Sequence, residues 1–124
     1  MPLVPGSRKH EYWFREGCHI TEWSNSAADE DLSVARARVE PGRTTRWHRL
    51  AGTRERYVIL EGRGRAEVGD ETLEAGVGDV VVIAPGQPQR ITNIGAGDLV
   101  FLAVCTPRFR PGNYSEIPEM ETSA

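Results

Sequence analysis

Hydrophobic positions recur at every second residue along this chain, in short runs broken by glycine and proline. Between positions 32 and 40, Leu32, Val34, Ala35, Ala37 and Val39 alternate with Ser33, Arg36, Arg38 and Glu40. That is the period of a strand with one buried face. From Thr44 to Leu50 the alternation puts Thr44, Arg46, His48 and Leu50 on one side and Thr45, Trp47 and Arg49 on the other. Arg54 to Glu61 resumes as a strand with Glu55, Tyr57 and Ile59 on one face. Shorter strands are predicted at Arg65 to Val68, Glu71 to Leu73, Val80 to Ile83 and Gln89 to Asn93. Leu99 to Cys105 is apolar on both faces, so it is expected to be covered on both. Upstream, Tyr12, Trp13, Phe14, Ile20 and Trp23 surround Gly17 and predict two short strands joined by a turn.

The breaks carry turn chemistry: Pro41-Gly42, Gly62-Arg63-Gly64, the Gly69-Asp70 hairpin signal and Pro85-Gly86-Gln87-Pro88. No segment has a helical period. Short strands with closely spaced turns predict an all-β sandwich or barrel. A single domain is expected, with a loosely held segment at 1–10, the barrel over 11–107, and a tail at 108–124 that packs outside and frays at its end.

Composition narrows the class. A chain of 124 residues with 39% hydrophobic and 27% charged positions is an ordinary globular domain, burying roughly two-thirds of its unfolded surface. A net charge of −3 offers no field for nucleic acid. Neither a membrane-length apolar run nor the apolar stretch of a secretory leader is present. The arginines at 43, 46, 49, 54 and 56 alternate with Trp, Leu and Glu and read as a solvated or ion-paired face. Cys18 and Cys105 stand 87 positions apart without zinc spacing, as expected of free thiols in a cytoplasmic protein.

Two stretches carry the candidate chemistry. The first, GRTTRWHRLAGTRERYVILEG at 42–62, sets out Gly42, His48, Leu50, Glu55 and Gly62. The second, GDVVVIAPGQPQRITN at 78–93, sets out Gly78, Asp79, Pro85, Gly86, Gln89 and Asn93. Their spacing resembles the two motifs of the cupin family, His-x-His followed by Glu and Pro-x-Gly-x-x-His-x-x-x-Asn. The resemblance covers about residues 32–107, and the ending CTPRFRP is similar to that of small single-domain bacterial cupins. It implies a double-stranded β-helix, or jelly-roll, barrel. It also implies a divalent metal ion (Fe, Mn, Ni or Zn) held by His48 and Glu55. Leu50 and Gln89 stand where two further histidines belong, leaving Gln89 as a weaker third ligand. The predicted pocket wall comprises Arg46, Tyr57, Leu50, Ile91 and Phe101.

Two readings follow. In one, His48, Glu55 and Gln89 hold an ion that serves a small-molecule dioxygenase, isomerase or lyase. In the other, the barrel binds a sugar or organic acid without metal, through Arg46, Gln89 and Tyr57, and Arg46 neutralises Glu55. Catalytic residues and substrate stay unassigned. The partner expected in either case is a small molecule, with neither nucleic acid nor membrane. Outward-facing Trp47, Val100, Leu102 and Val104 ask for cover, so a homodimer with the N-terminal segment in its interface is expected.

Overall fold

The computed structural model describes residues 2–6 and 9–118, and among these eleven strands carry almost all of the regular structure. They are β1 (Tyr12–Phe14), β2 (Cys18–Ser24), β3 (Ser33–Val39), β4 (His48–Leu50), β5 (Arg54–Glu61), β6 (Arg63–Val68), β7 (Glu71–Gly76), β8 (Val80–Ile83), β9 (Gln89–Asn93), β10 (Leu99–Thr106) and β11 (Tyr114–Glu116). A six-stranded sheet runs β1-β2-β3-β10-β5-β8 and a five-stranded sheet runs β11-β4-β9-β6-β7. After β3 the chain alternates between the sheets except at the β6–β7 hairpin, which stays in the five-stranded one, so their inner faces close on one another as a jelly-roll barrel. The end of the tail and positions 1, 7 and 8 lie outside the described residues.

Register follows the buried positions. β10 pairs with β3 on one side and β5 on the other, placing Phe101 between Ala37 and Ile59. The buried positions of β3 are Ser33, Ala37 and Val39, all of one parity, while Val34 and Ala35, one of each parity, are both half-buried. β10 is covered less evenly than its composition predicts. Leu99, Val100 and Phe101 are buried, but Leu102 and Val104 are half-buried on a sheet face that also exposes Leu60, Val80 and Val82.

One end of the barrel is packed solid. Val39, Ile59, Ile91 and Leu99 meet there. A Cβ at Gly64 would stand 2.8 Å from Ile91 and 3.0 Å from Leu99, so any side chain there would force those two to shift. At the nearby corner Gly62 has φ 80° and its missing Cβ would fall 2.5 Å from the Asp98 carbonyl, so glycine is required on both counts. Asn93 locks this end: its amide donates to the carbonyls of Val39 (2.9 Å) and Gly97 (2.8 Å), and its oxygen accepts from the Gly95 N–H (2.9 Å).

The strict alternation predicted across Thr44–Leu50 breaks before β4 begins. Thr45, Trp47 and His48 are all buried while Arg46 is exposed. Trp47 is covered by its own chain, with the Arg90 guanidinium 5.0 Å over its ring and Ile117 N–H bonded to its carbonyl at 2.9 Å. The tail beyond the barrel differs from a strap on the outside: β11 pairs with β4 and turns Tyr114 inward.

Candidate functional site

The other end of the barrel is hollow, and the β1–β2 turn sits over it. Gly17, with φ 104°, reverses the chain, and its N–H bonds to the Phe14 carbonyl at 2.9 Å. Arg46 pins the tip twice: its N–H donates to the Glu16 carbonyl (2.6 Å) and its Nε to the Arg15 carbonyl (2.7 Å). Glu16 is thereby aimed at His48, with Oε1 2.7 Å from Nε2. The Cys18 thiol donates to the second Glu16 oxygen at 3.2 Å.

His48 is 1% exposed, and both ring nitrogens face acceptors, since Nδ1 lies 2.7 Å from the Arg46 carbonyl. Burial alone would pull its pKa down. The charge and hydrogen bond of Glu16, with help from that carbonyl, carry it up to about 9. At neutral pH the ring is an imidazolium with both N–H groups used. Burial likewise pushes the Glu16 carboxyl up, but the His48 charge and hydrogen bond outweigh it and leave its pKa lowered. Tyr114 stacks on the imidazole at 5.1 Å, and the Arg15 guanidinium lies 4.9 Å over the Tyr114 ring.

Glu55 projects from β5 opposite Cys105. It is 8% exposed, and its Oε1 has no hydrogen-bond partner among the described residues. Burial first, and then the nearby Glu16 charge, raise its pKa to about 7, with His48, Gln89 and Cys105 acting in the opposite direction. Tyr57, two positions on, donates its hydroxyl to the Gln89 carbonyl oxygen and leans on Phe101 at 4.6 Å between ring centroids.

These groups surround a cavity of about 70 Å³. All three phenylalanines and all three tyrosines of the chain line it: Phe14, Phe101, Phe109, Tyr12, Tyr57 and Tyr114. Three carboxylates, Glu16, Glu22 and Glu55, share the wall with His48, and among the described residues no lysine or arginine does.

Of the residues expected at a site, His48, Glu55, Leu50, Tyr57 and Phe101 line this hollow. Gln89 is the cross-strand neighbour of His48 but lies behind the Tyr57 hydroxyl. Ile91 is fully buried in the packed end, against Gly64. Arg46 is not in the pocket. Its side chain is 63% exposed, 3.7 Å from Glu116, in a polar groove outside the five-stranded sheet with Arg65 and Arg90. The Arg46–Glu55 ion pair is therefore absent, because the irregular backbone at 45–47 reverses the parity that would have made it. Glu16, Tyr114 and Phe109 were missed. Each comes from a turn or tail segment, where alternation gives no signal.

The family model for the cupin domain matches residues 35–105. The chain is a cupin. An uncharacterised protein of Methanocaldococcus jannaschii is 38% identical over 77 residues, a match spanning 62% of each chain. Streptomyces Pac13, solved as a histidine-to-glutamine variant with uridine, superposes with a TM-score of 0.80 at 16% identity, over 95% of this chain and 92% of that one. A Klebsiella pneumoniae protein with a double-stranded β-helix domain superposes with a TM-score of 0.73 at 16% identity, over 87% and 90% of the two chains. At these identities the structural likeness carries the fold.

The donor set of this cupin does not fit the divalent ion that its motifs imply. His48 Nε2 is turned to Glu16 and its Nδ1 to a carbonyl, the Gln89 oxygen is taken by Tyr57, and Leu50 offers no donor. Among the described residues no three His, Cys, Asp or Glu side chains are arranged to hold an ion. Also among them, no helix is long and apolar enough to cross a membrane.

Proposed function

We propose that this cupin binds a small organic molecule in the hollow and acts on it by proton transfer, with Glu55 as the base and no metal ion in the site. The observation that carries the reading is the buried Glu55 oxygen without a partner, on the wall of a cavity. A carboxyl group raised to about 7 is half-ionised at neutral pH, where a general base serves best. The Glu16–His48 pair beside it is a fixed dipole in a site of low dielectric, able to stabilise charge that develops as a proton moves. Abstraction of a carbon-bound proton followed by isomerisation or loss of water suits this arrangement. The same fold serves Pac13, described as a nucleoside dehydratase, and an oxalate decarboxylase, a fold-level precedent for lyase chemistry.

Two measurements decide it. A ¹³C NMR titration of Glu55 is expected to give a midpoint near 7, and a midpoint in the ordinary carboxylate range removes the base. Metal analysis after incubation with iron, manganese, nickel and zinc is expected to find far less than one ion per chain. A stoichiometric ion that is lost in His48→Ala would restore the reading in which His48, Glu55 and Gln89 are ligands. With compact cyclic ketones and amino ketones in D₂O, turnover is expected as deuterium uptake or loss of water, about 100-fold slower or more in Glu55→Gln. Binding without any such exchange would mark a carrier in place of an enzyme.

We also propose a homodimer, since Leu60, Val80 and Val82 lie exposed beside Leu102 and Val104 on one sheet face. Light scattering should report twice the 13.7 kDa chain mass, and a 13.7 kDa particle alone would contradict it.

A further inference from the structure

We infer that the molecule held in the hollow is a compact organic amine, bound as its cation, with the ammonium on Glu55 and the apolar body among the six aromatic rings. The inference rests on the hollow being a ligand site and goes on to say what charge that ligand bears.

Three features of the wall point the same way. First, its formal charges are three carboxylates and one imidazolium, and the imidazolium is committed to Glu16 at 2.7 Å. Once that pair is set aside, Glu55 and Glu22 remain without a cation among the described lining residues. A carboxylate or phosphate would meet two negative groups and no free charged donor, since both N–H groups of His48 are already used. Second, Glu55 Oε1 is buried and unpartnered. A buried acceptor in this state is costly, and an ammonium is the donor that forms the strongest hydrogen bond with it. Third, six aromatic rings share the remaining wall with aliphatic side chains such as Ile20 and Leu50. Phe and Tyr rings present negative faces to a cation within about 6 Å, and they cover its hydrocarbon as well. Arg46, the residue that would have suited an anion, points out of the barrel.

Size limits the ligand. A cavity of about 70 Å³ holds roughly five to seven water positions at ~10–15 Å³ each. An amine of about five to ten non-hydrogen atoms suits it, and a polyamine or a peptide does not.

The test uses three molecules of nearly one shape: benzylamine, benzyl alcohol and benzoate. Each is titrated at pH 8 into the full chain by calorimetry and by NMR shifts of the Tyr57 and Phe101 rings. Benzylamine is expected to bind at least tenfold tighter than benzyl alcohol, and benzoate not at all. Glu55→Gln should bring benzylamine down to the level of the alcohol. The ratio in the unmodified chain stands on its own, so the test survives a variant that folds badly. Benzoate binding as well as benzylamine, or a tenfold preference kept in Glu55→Gln, overturns the amine. An alcohol that binds as tightly as the amine also overturns it but leaves the ligand site standing. If none of the three shifts the ring signals, the ligand site falls too.

Discussion

The two ends of one barrel interior were built to different rules. At the packed end, Val39, Ile59, Ile91 and Leu99 fill the space so closely that a methyl group on Gly64 would force Ile91 and Leu99 to shift. The single polar side chain singled out there, Asn93, has all of its hydrogen bonds made. At the hollow end the same strands leave space and line it with rings, and Glu55 keeps an oxygen without a partner. The first arrangement is what stability alone selects. The second gives up packing and leaves a buried carboxylate unsatisfied, which a protein retains where a site requires it. Residues on one strand divide between the two: Ile59 on β5 belongs to the packed end, and Glu55, four positions earlier, to the hollow.

The largest effect should come from opening the packed end. Ile91 is fully buried, and Ile91→Ala removes its hydrocarbon and leaves a void that the β6–β9 pair cannot close. A loss of about 2–5 kcal/mol is expected in urea unfolding. A loss well below 1 kcal/mol would mean that this end is as loose as the other.

The hollow end should respond with the opposite sign. Glu55 carries a pKa raised from 4.5 to about 7 in the folded chain, so folding holds its proton where the unfolded chain has released it. Stability therefore falls as pH rises from about 4.5 through 7, by on the order of 3 kcal/mol, and stays lower above. His48, raised from 6.5 to about 9, contributes stability that is complete below 6.5 and is lost as pH climbs through 9. Glu55→Gln should remove the lower of these two declines and leave the upper. At pH 8 the variant should be more stable than the parent by on the order of 3 kcal/mol. Thermal unfolding between pH 5 and 9 reads both steps, and a variant no more stable at pH 8 would show Glu55 to be solvated.

How much of this the sequence disclosed depends on how regular each segment is. β5, β8 and β10 alternate cleanly or run apolar, and the glycine, proline and Asn93 spacing gave the family, so the barrel was legible while the pairing of its strands was not. His48 and Glu55 were found because they occupy motif positions. Arg46 was misplaced because alternation is only valid inside a strand, and β4 begins at His48. Glu16 was invisible for a related reason. It lies in a turn 32 positions before its partner, and the contact is made across the barrel mouth, where two hydrogen bonds from Arg46 help to hold the turn.

Tyr57 tests the seam between the ends. Its hydroxyl satisfies the buried Gln89 carbonyl, and Tyr57→Phe leaves that oxygen without a donor. The cost should be about 1–3 kcal/mol, smaller than at Ile91 because no cavity forms. A neutral result would mean that water from the hollow reaches Gln89.

Arg46 should matter least, and that makes it the sharpest check on which face of the sheet is the inside. Its side chain is exposed and its ion pair with Glu116 is long, at 3.7 Å. Such pairs contribute about 0–1 kcal/mol. Arg46→Ala also removes the Nε bond to Arg15, yet the backbone bond from position 46 to the Glu16 carbonyl needs no side chain, so the turn keeps one of its two pins. Stability should change by less than about 1 kcal/mol, and benzylamine affinity by less than about twofold, under 0.5 kcal/mol. A tenfold loss of affinity would bring the guanidinium back to the ligand, and with it the pocket for a sugar or organic acid that places Arg46 beside Gln89 and Tyr57.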